Sequence, residues 1–128
     1  MHSEQQPVLE RRPLTTAERE LAQWMLEHGD PSASAFLPQL ERATVVSRCP
    51  CGCASIDFEV AGMPEPSGGL RILGDYVFDN GADLAGVFIF ERAGVLAGIE
   101  VYGLAGEAPR RLPESGSLRS FHQGKADS

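Results

Sequence analysis

The apolar residues of this chain repeat at three- and four-residue steps before Ala43 and at two-residue steps after it. That change of period constrains the fold more than any other feature. A helix buries one stripe and a strand buries alternate positions, so the first third predicts helices and the remainder a sheet. The helical part is LTTAERELAQWMLEHGD. Ala17, Leu21, Trp24, Met25 and His28 fall on one stripe. Thr15, followed three residues later by Glu18, matches a capping box, in which each side chain satisfies a backbone donor of the other. Gly29 is expected to end the helix in a left-handed conformation, and Pro31 blocks continuation. A second, short helix is expected near Ala35–Glu41, capped by Ser34, with Pro38 close to its first turn and Phe36, Leu37 and Leu40 facing the core.

From Ala43 onward, ATVVSR and SIDFEV read as strands, the latter with Ile56, Phe58 and Val60 on one face. MPEPSGG is a loop by composition. LRILGDYVF is a third strand, in which Gly74 marks a bulge. Asn80-Gly81 is a strong short hairpin signal, and Ala93-Gly94 is a second turn. Between and after them lie LAGVFIFER and VLAGIEVYGL. The expected fold class is α+β: two N-terminal helices packed on one face of an antiparallel meander sheet of about five strands. Residues 1–13 are expected as a flexible arm, 14–113 as a single domain and 114–128 as a polar C-terminal tail whose last residues are disordered.

All three cysteines lie in SRCPCGCAS, as Cys49, Cys51 and Cys53. Zinc held tetrahedrally at about 2.3 Å from sulfur needs sulfurs about 3.8 Å apart. Residues i and i+2 of an extended strand stand about 6.6 Å apart, so a straight segment would separate the thiols too far. Pro50 and Gly52 favour a turn, which would gather them. Three readings follow. The thiols are small hydrophobes in a structural hairpin, or ligands of a metal such as zinc, or a redox group. A fourth ligand is not dictated by any spacing; His28, His122, Asp57, water or a second chain are the candidates. The redox reading needs a lowered thiol pKa, and Arg48, adjacent in a strand, points away from Cys49. A cysteine nucleophile would need a base, and none is placed near the cluster.

Other groups read more plainly. Asp75, Asp79, Asp83, Glu91 and Glu100 are expected as turn and solvent-facing carboxylates, and the alternate-residue ligand pattern of a calcium loop is absent. His28 suits the negative end of the first helix. The glycines match neither phosphate-binding fingerprint. The formal net charge is −7. Residues 44–104 hold only Arg48, Arg71 and Arg92 against eight carboxylates. An acidic body without a basic stripe argues against nucleic acid and against an anionic membrane, and allows a basic protein partner. The beginning of the chain lacks the apolar core of a signal peptide, so a cytoplasmic location with reduced thiols is expected. Oligomeric state is not indicated.

The segments LTTAERELAQWMLEHG, FLPQLERATVVSRCPCGCASIDF, GVFIFERAGVLAGIEVYG and PRRLP together resemble a family of small uncharacterised bacterial proteins. The more specific elements are RCxCGC, here Arg48 to Cys53, and GxLxG[IL]EVY, here Gly94 to Tyr102. The resemblance covers most of residues 14–113 and implies a shared fold and a bacterial origin, with no chemistry attached. The expected function is a non-enzymatic protein-interaction domain, in one version an immunity-like protein that masks a basic toxin. The alternative is a metal-binding or thiol-redox domain using Cys49, Cys51 and Cys53.

Overall fold

Thr15 and Glu18 start the helical layer as their spacing predicts. In the computed structural model, which describes residues 8–120, the Glu18 amide donates to Thr15 Oγ1 at 3.1 Å, and the Thr15 amide donates to Glu18 Oε1 at 2.9 Å. Helix α1 then runs Thr16–His28 and buries Leu21, Ala22, Met25 and Leu26. It ends differently from expectation. Gly29 has φ −91°, outside the left-handed region. A side chain is excluded there by crowding, because a Cβ on Gly29 would overlap the carbonyl oxygen of Leu73. The next amide, Asp30, donates to that same carbonyl at 2.8 Å. Gly29 thus lets the helix end press against the sheet. A 3₁₀ turn, Ala33–Phe36, leads directly into the one-turn helix α2, Leu37–Leu40, with Pro38 near its start and no side-chain cap from Ser34. Phe36 and Leu40 are buried as expected, and Leu37 is half-buried. Gln39 fastens this turn to the sheet by donating to the Gly94 carbonyl at 3.0 Å and accepting from the Leu96 amide at 2.8 Å.

The sheet is larger than expected and differently connected. Its strands are β1 (Val8–Pro13), β2 (Ala43–Arg48), β3 (Ile56–Val60), β4 (Leu70–Asn80), β5 (Asp83–Arg92), β6 (Val95–Gly103) and β7 (Arg119–Ser120). All pairings are antiparallel, in the order β1-β2-β3-β6-β5-β4-β7. A simple meander of about five strands is therefore corrected to seven strands in two blocks. One block is β1-β2-β3 and the other is β6-β5-β4-β7; among the described residues the ladder joining them consists of Ile56 paired with Ile99 and Asp57 with Gly98. The bulge at Gly74 and the hairpin turn at Gly81 are where the sequence puts them.

The arm expected over residues 1–13 supplies β1 from Val8 onward. Its apolar content is low, and charge holds it. Arg12 forks onto Glu18 with both contacts at 2.9 Å, Glu10 pairs with Arg48 at 3.1 Å, and Arg11 pairs with Glu59. Edge position also tolerates Pro13, since an edge strand can leave one donor out of the ladder. The segment expected as a tail likewise contributes β7 and buries Leu118. Residues 1–7 and 121–128, including His2, His122 and the disordered end expected there, lie outside the described residues.

The core lies between the helices and one sheet face. Leu21, Met25, Leu26 and Leu40 pack on Phe58, Val60, Val87, Ile89 and Ile99, all nearly or fully buried. Each such side chain contributes about 1.5–3 kcal/mol by leaving water. Tyr76 crosses between layers, donating from its buried hydroxyl to the Met25 carbonyl at 2.8 Å. The opposite sheet face carries a smaller aromatic row. Tyr102 stands 6.0 Å from Phe88, which stands 5.7 Å from Phe90. Tyr102 lies over Gly86, whose Cβ position its ring occupies, and reaches Asp75 at 3.0 Å. No described helix is long and apolar enough to cross a membrane.

Candidate metal centre

Strands β2 and β3 form a hairpin whose connection, residues 49–55, is the cysteine segment. The ladder runs one step past β2, with the Cys49 amide donating to the Ser55 carbonyl at 3.3 Å. The chain then turns sharply. The Gly52 amide donates back to the Cys49 carbonyl at 3.3 Å, and Gly52 takes φ 92°, a conformation that favours glycine. Pro50 sits inside this turn with its φ preset, as Pro does at the second position of a turn. The consequence is convergence. The sulfurs of Cys49, Cys51 and Cys53 all lie within 4.8 Å of one another. The tight-turn geometry, not the straight segment, is the one the fold adopts.

The pocket is asymmetric. Cys51 is exposed, and Cys49 and Cys53 are half-buried. Cys49 Sγ and Cys51 Sγ are 2.7 Å apart, and the Cys53 amide donates to Cys51 Sγ at 3.3 Å. Burial, and then the hydrogen bond to Cys51, push the Cys49 thiol up to about 12. Cys51 moves the other way, below the ordinary thiol value, because its thiolate accepts from the Cys49 thiol and from the Cys53 amide.

Two elements hold the turn in place. Ser55, buried at the root of β3, accepts from the Val101 amide at 2.9 Å and donates to the Val101 carbonyl at 3.5 Å. It satisfies β6 backbone beyond the two paired residues of β3. The Cys53 thiol donates to the same hydroxyl at 3.5 Å. From the other side, the segment leaving β6 folds back, and its Pro109 carbonyl accepts from the Ala54 amide at 2.9 Å. Arg110 then lies beside Gly52, with one guanidinium nitrogen 2.8 Å from where a Cβ on Gly52 would stand.

The fourth ligands suggested by sequence are not brought here. Asp57 accepts from Ser47 Oγ at 2.8 Å and does not join the sulfur cluster. His28 ends α1, where its Nδ1–H donates to the Trp24 carbonyl at 2.8 Å and its ring stacks on Trp24 at 4.2 Å. The start of that helix borders a groove shared with Ala54 and Arg110, so roughly 18 Å of helix separates His28 from this end of the molecule. In that groove Glu18 and Arg12 are bound to each other, which gives them a structural role.

The carboxylates read as turn groups are mostly engaged within the fold. Asp75 accepts from Tyr102, Asp79 pairs with Arg119 at 3.6 Å, and Glu91 is buried, accepting from Arg71 at 2.6 Å and from the Gly94 amide at 2.8 Å. Burial, and then the Asp57 carboxylate, raise the pKa of Glu100. Among the described residues, only the three cysteines gather ligand atoms this closely. Sequence reasoning missed the 104–113 segment as a wall of the site. Its position depends on the β3–β6 pairing, which leaves no periodic signal.

Comparison with protein-family models, with curated proteins and with solved structures returns no match.

Proposed function

We propose that this chain is a metal-binding domain whose turn between β2 and β3 holds a thiophilic cation, zinc in the first instance, through Cys49, Cys51 and Cys53. The observation that carries the reading is the convergence of three sulfurs within 4.8 Å on one short turn. Tetrahedral zinc asks for sulfur separations of about 3.8 Å, so Cys49 and Cys51 must part by roughly 1 Å on binding, a small rotation for an exposed thiol. Cys53 and Ala54 pack against the edge of the core, so the turn is seated on the body of the fold. An exposed Cys51 suits an ion that enters and leaves.

The interaction-domain reading draws on the acidic surface, the small size and the absence of a catalytic constellation. It is weakened because Glu10, Glu18, Glu59, Glu91 and Asp79 already have arginine partners within the fold. A redox role for the same thiols is separated by chelation. The test is thiol titration of the purified chain before and after a strong chelator. Metal binding predicts slow thiols that become fast on chelation, with zinc released in step. Three fast thiols from the outset, with no zinc in the protein or taken up from buffer, would refute it.

A further inference from the structure

Three thiolates leave a tetrahedral ion one ligand short, and the position of the second wall of the site says where that ligand comes from. A cleft opening on the turn is lined by Cys51, Cys53, Glu107, Ala108 and Arg110. Three of these five carry side chains that ligate zinc. We infer that Glu107 supplies the fourth ligand, so that the bound ion ties the turn between β2 and β3 to the segment leaving β6. The inference rests on the three-thiolate reading and deepens it.

The backbone is already arranged for this. Ala54 and Pro109 join the two segments at 2.9 Å, one residue beyond Cys53 on one side and two beyond Glu107 on the other. The chain after β6 is folded tightly, with the Gly106 carbonyl occupying the place a Cβ on Gly103 would take. Glu107 is therefore carried on a short, constrained bend. Its carboxylate is not among the atoms gathered within 4.8 Å, but its side chain is exposed, so a change of rotamer costs little. Charge supports the arrangement as well. Zinc with three thiolates and a carboxylate is a dianionic centre, and the Arg110 guanidinium beside Gly52 offsets part of that charge. Neither Asp57 nor His28 has a comparable place.

The experiment compares the full chain with Glu107→Gln and with Glu114→Gln, a control that removes an exposed carboxylate outside this cleft. Zinc affinity is measured by chelator competition, and cobalt(II) is used as the spectroscopic probe. Expected is a loss of zinc affinity of about 10- to 100-fold or more in Glu107→Gln, the scale that even outer-shell partners of a metal carry. The cobalt d–d bands change while the thiolate charge-transfer bands stay at three-sulfur intensity, and Glu114→Gln matches the unaltered chain. Equal affinity and identical cobalt spectra for Glu107→Gln and the unaltered chain would overturn the inference and leave the three-thiolate site standing. Failure of the unaltered chain to bind either ion would overturn both. Matching circular dichroism and melting curves exclude misfolding as the cause.

Discussion

Gly98→Ala strikes the seam between the two strand blocks. A Cβ there would stand 2.5 Å from the Ile56 carbonyl oxygen, 3.1 Å from the Phe90 ring and 3.2 Å from the Asp57 Cα. Two of those three atoms are backbone, so no side-chain rotation relieves the contact. The strands must part by roughly 0.5–1 Å, enough to take an N–H···O bond out of range. Only two residue pairs join β3 to β6, and this change touches both. Losing about two ladder bonds at ~1 kcal/mol each, with overpacking of ~1–3 kcal/mol, amounts to a loss of about 3–5 kcal/mol. Gly98 has φ 158°, a conformation that side chains rarely adopt, so a stiffer unfolded chain brings alanine no net gain there. For a chain of this length such a loss lowers Tm by roughly 9–25 °C. Urea unfolding and thermal melts followed by circular dichroism measure it. Gly116→Ala is the control, since nothing lies within 4 Å of its Cβ position, and it should stay within about 0.5 kcal/mol of the unaltered chain. If Gly98→Ala unfolds like Gly116→Ala, the narrow seam described here is wrong.

Other substitutions probe separate parts of the account. Ser55→Ala leaves the Val101 amide without its hydroxyl partner in a buried position and should cost about 1–3 kcal/mol in the same urea assay. Glu18→Gln keeps a capping-box residue but loses the charged fork to Arg12, for an expected loss of about 1–2 kcal/mol at neutral pH. Burial alone would raise the Glu18 pKa, but Arg12 and the Thr15 amide outweigh it and hold the carboxyl below its ordinary value. A depressed carboxylate contributes fully above its unfolded pKa, near about 4.3, and loses that contribution as pH falls through the folded value. The stability gap between the two proteins should therefore shrink in acid. A gap that widens below pH 4 would contradict the pairing. Ala93 has φ 52°, next to Gly94 at 85°, so Ala93→Asn should stabilise the hairpin by about 0.5–1 kcal/mol, since Asn tolerates that region better.

Much of the fold is local, and that part could be read from the sequence. The Thr15–Glu18 capping box and the turns at Gly81 and Ala93-Gly94 each depend on neighbouring residues only. The α1 stripe is legible in part: Leu21 and Met25 are buried, whereas Ala17 and His28 are exposed and Ala22 and Leu26 face the core instead. The sheet order does not depend on neighbours alone. Ile56, Phe58 and Val60 alternate in the same way whether β3 adjoins β4 or β6, so periodicity cannot tell a meander from two blocks joined at a seam. Strand β1 was hidden because its residues are held by Arg–Glu pairs that exist only once β2, β3 and α1 are in place. Gly29 signalled the end of α1 for a different reason than its position suggested: the demand is close approach to Leu73, a tertiary fact. The thiol site divides along the same line. Pro50 and Gly52 signal that the cysteines converge, whereas Glu107 and Arg110 arrive from residues far along the chain.

The central claim is that the sulfurs of the β2–β3 turn bind a metal. X-ray absorption at the zinc edge, on protein purified without chelator and reconstituted with one equivalent of zinc, tests it most directly. The account predicts a shell of three sulfur neighbours at about 2.3 Å with one oxygen at about 2.0–2.2 Å, reduced by one sulfur in Cys51→Ser. A spectrum of oxygen and nitrogen neighbours only, unchanged by that substitution, would contradict it.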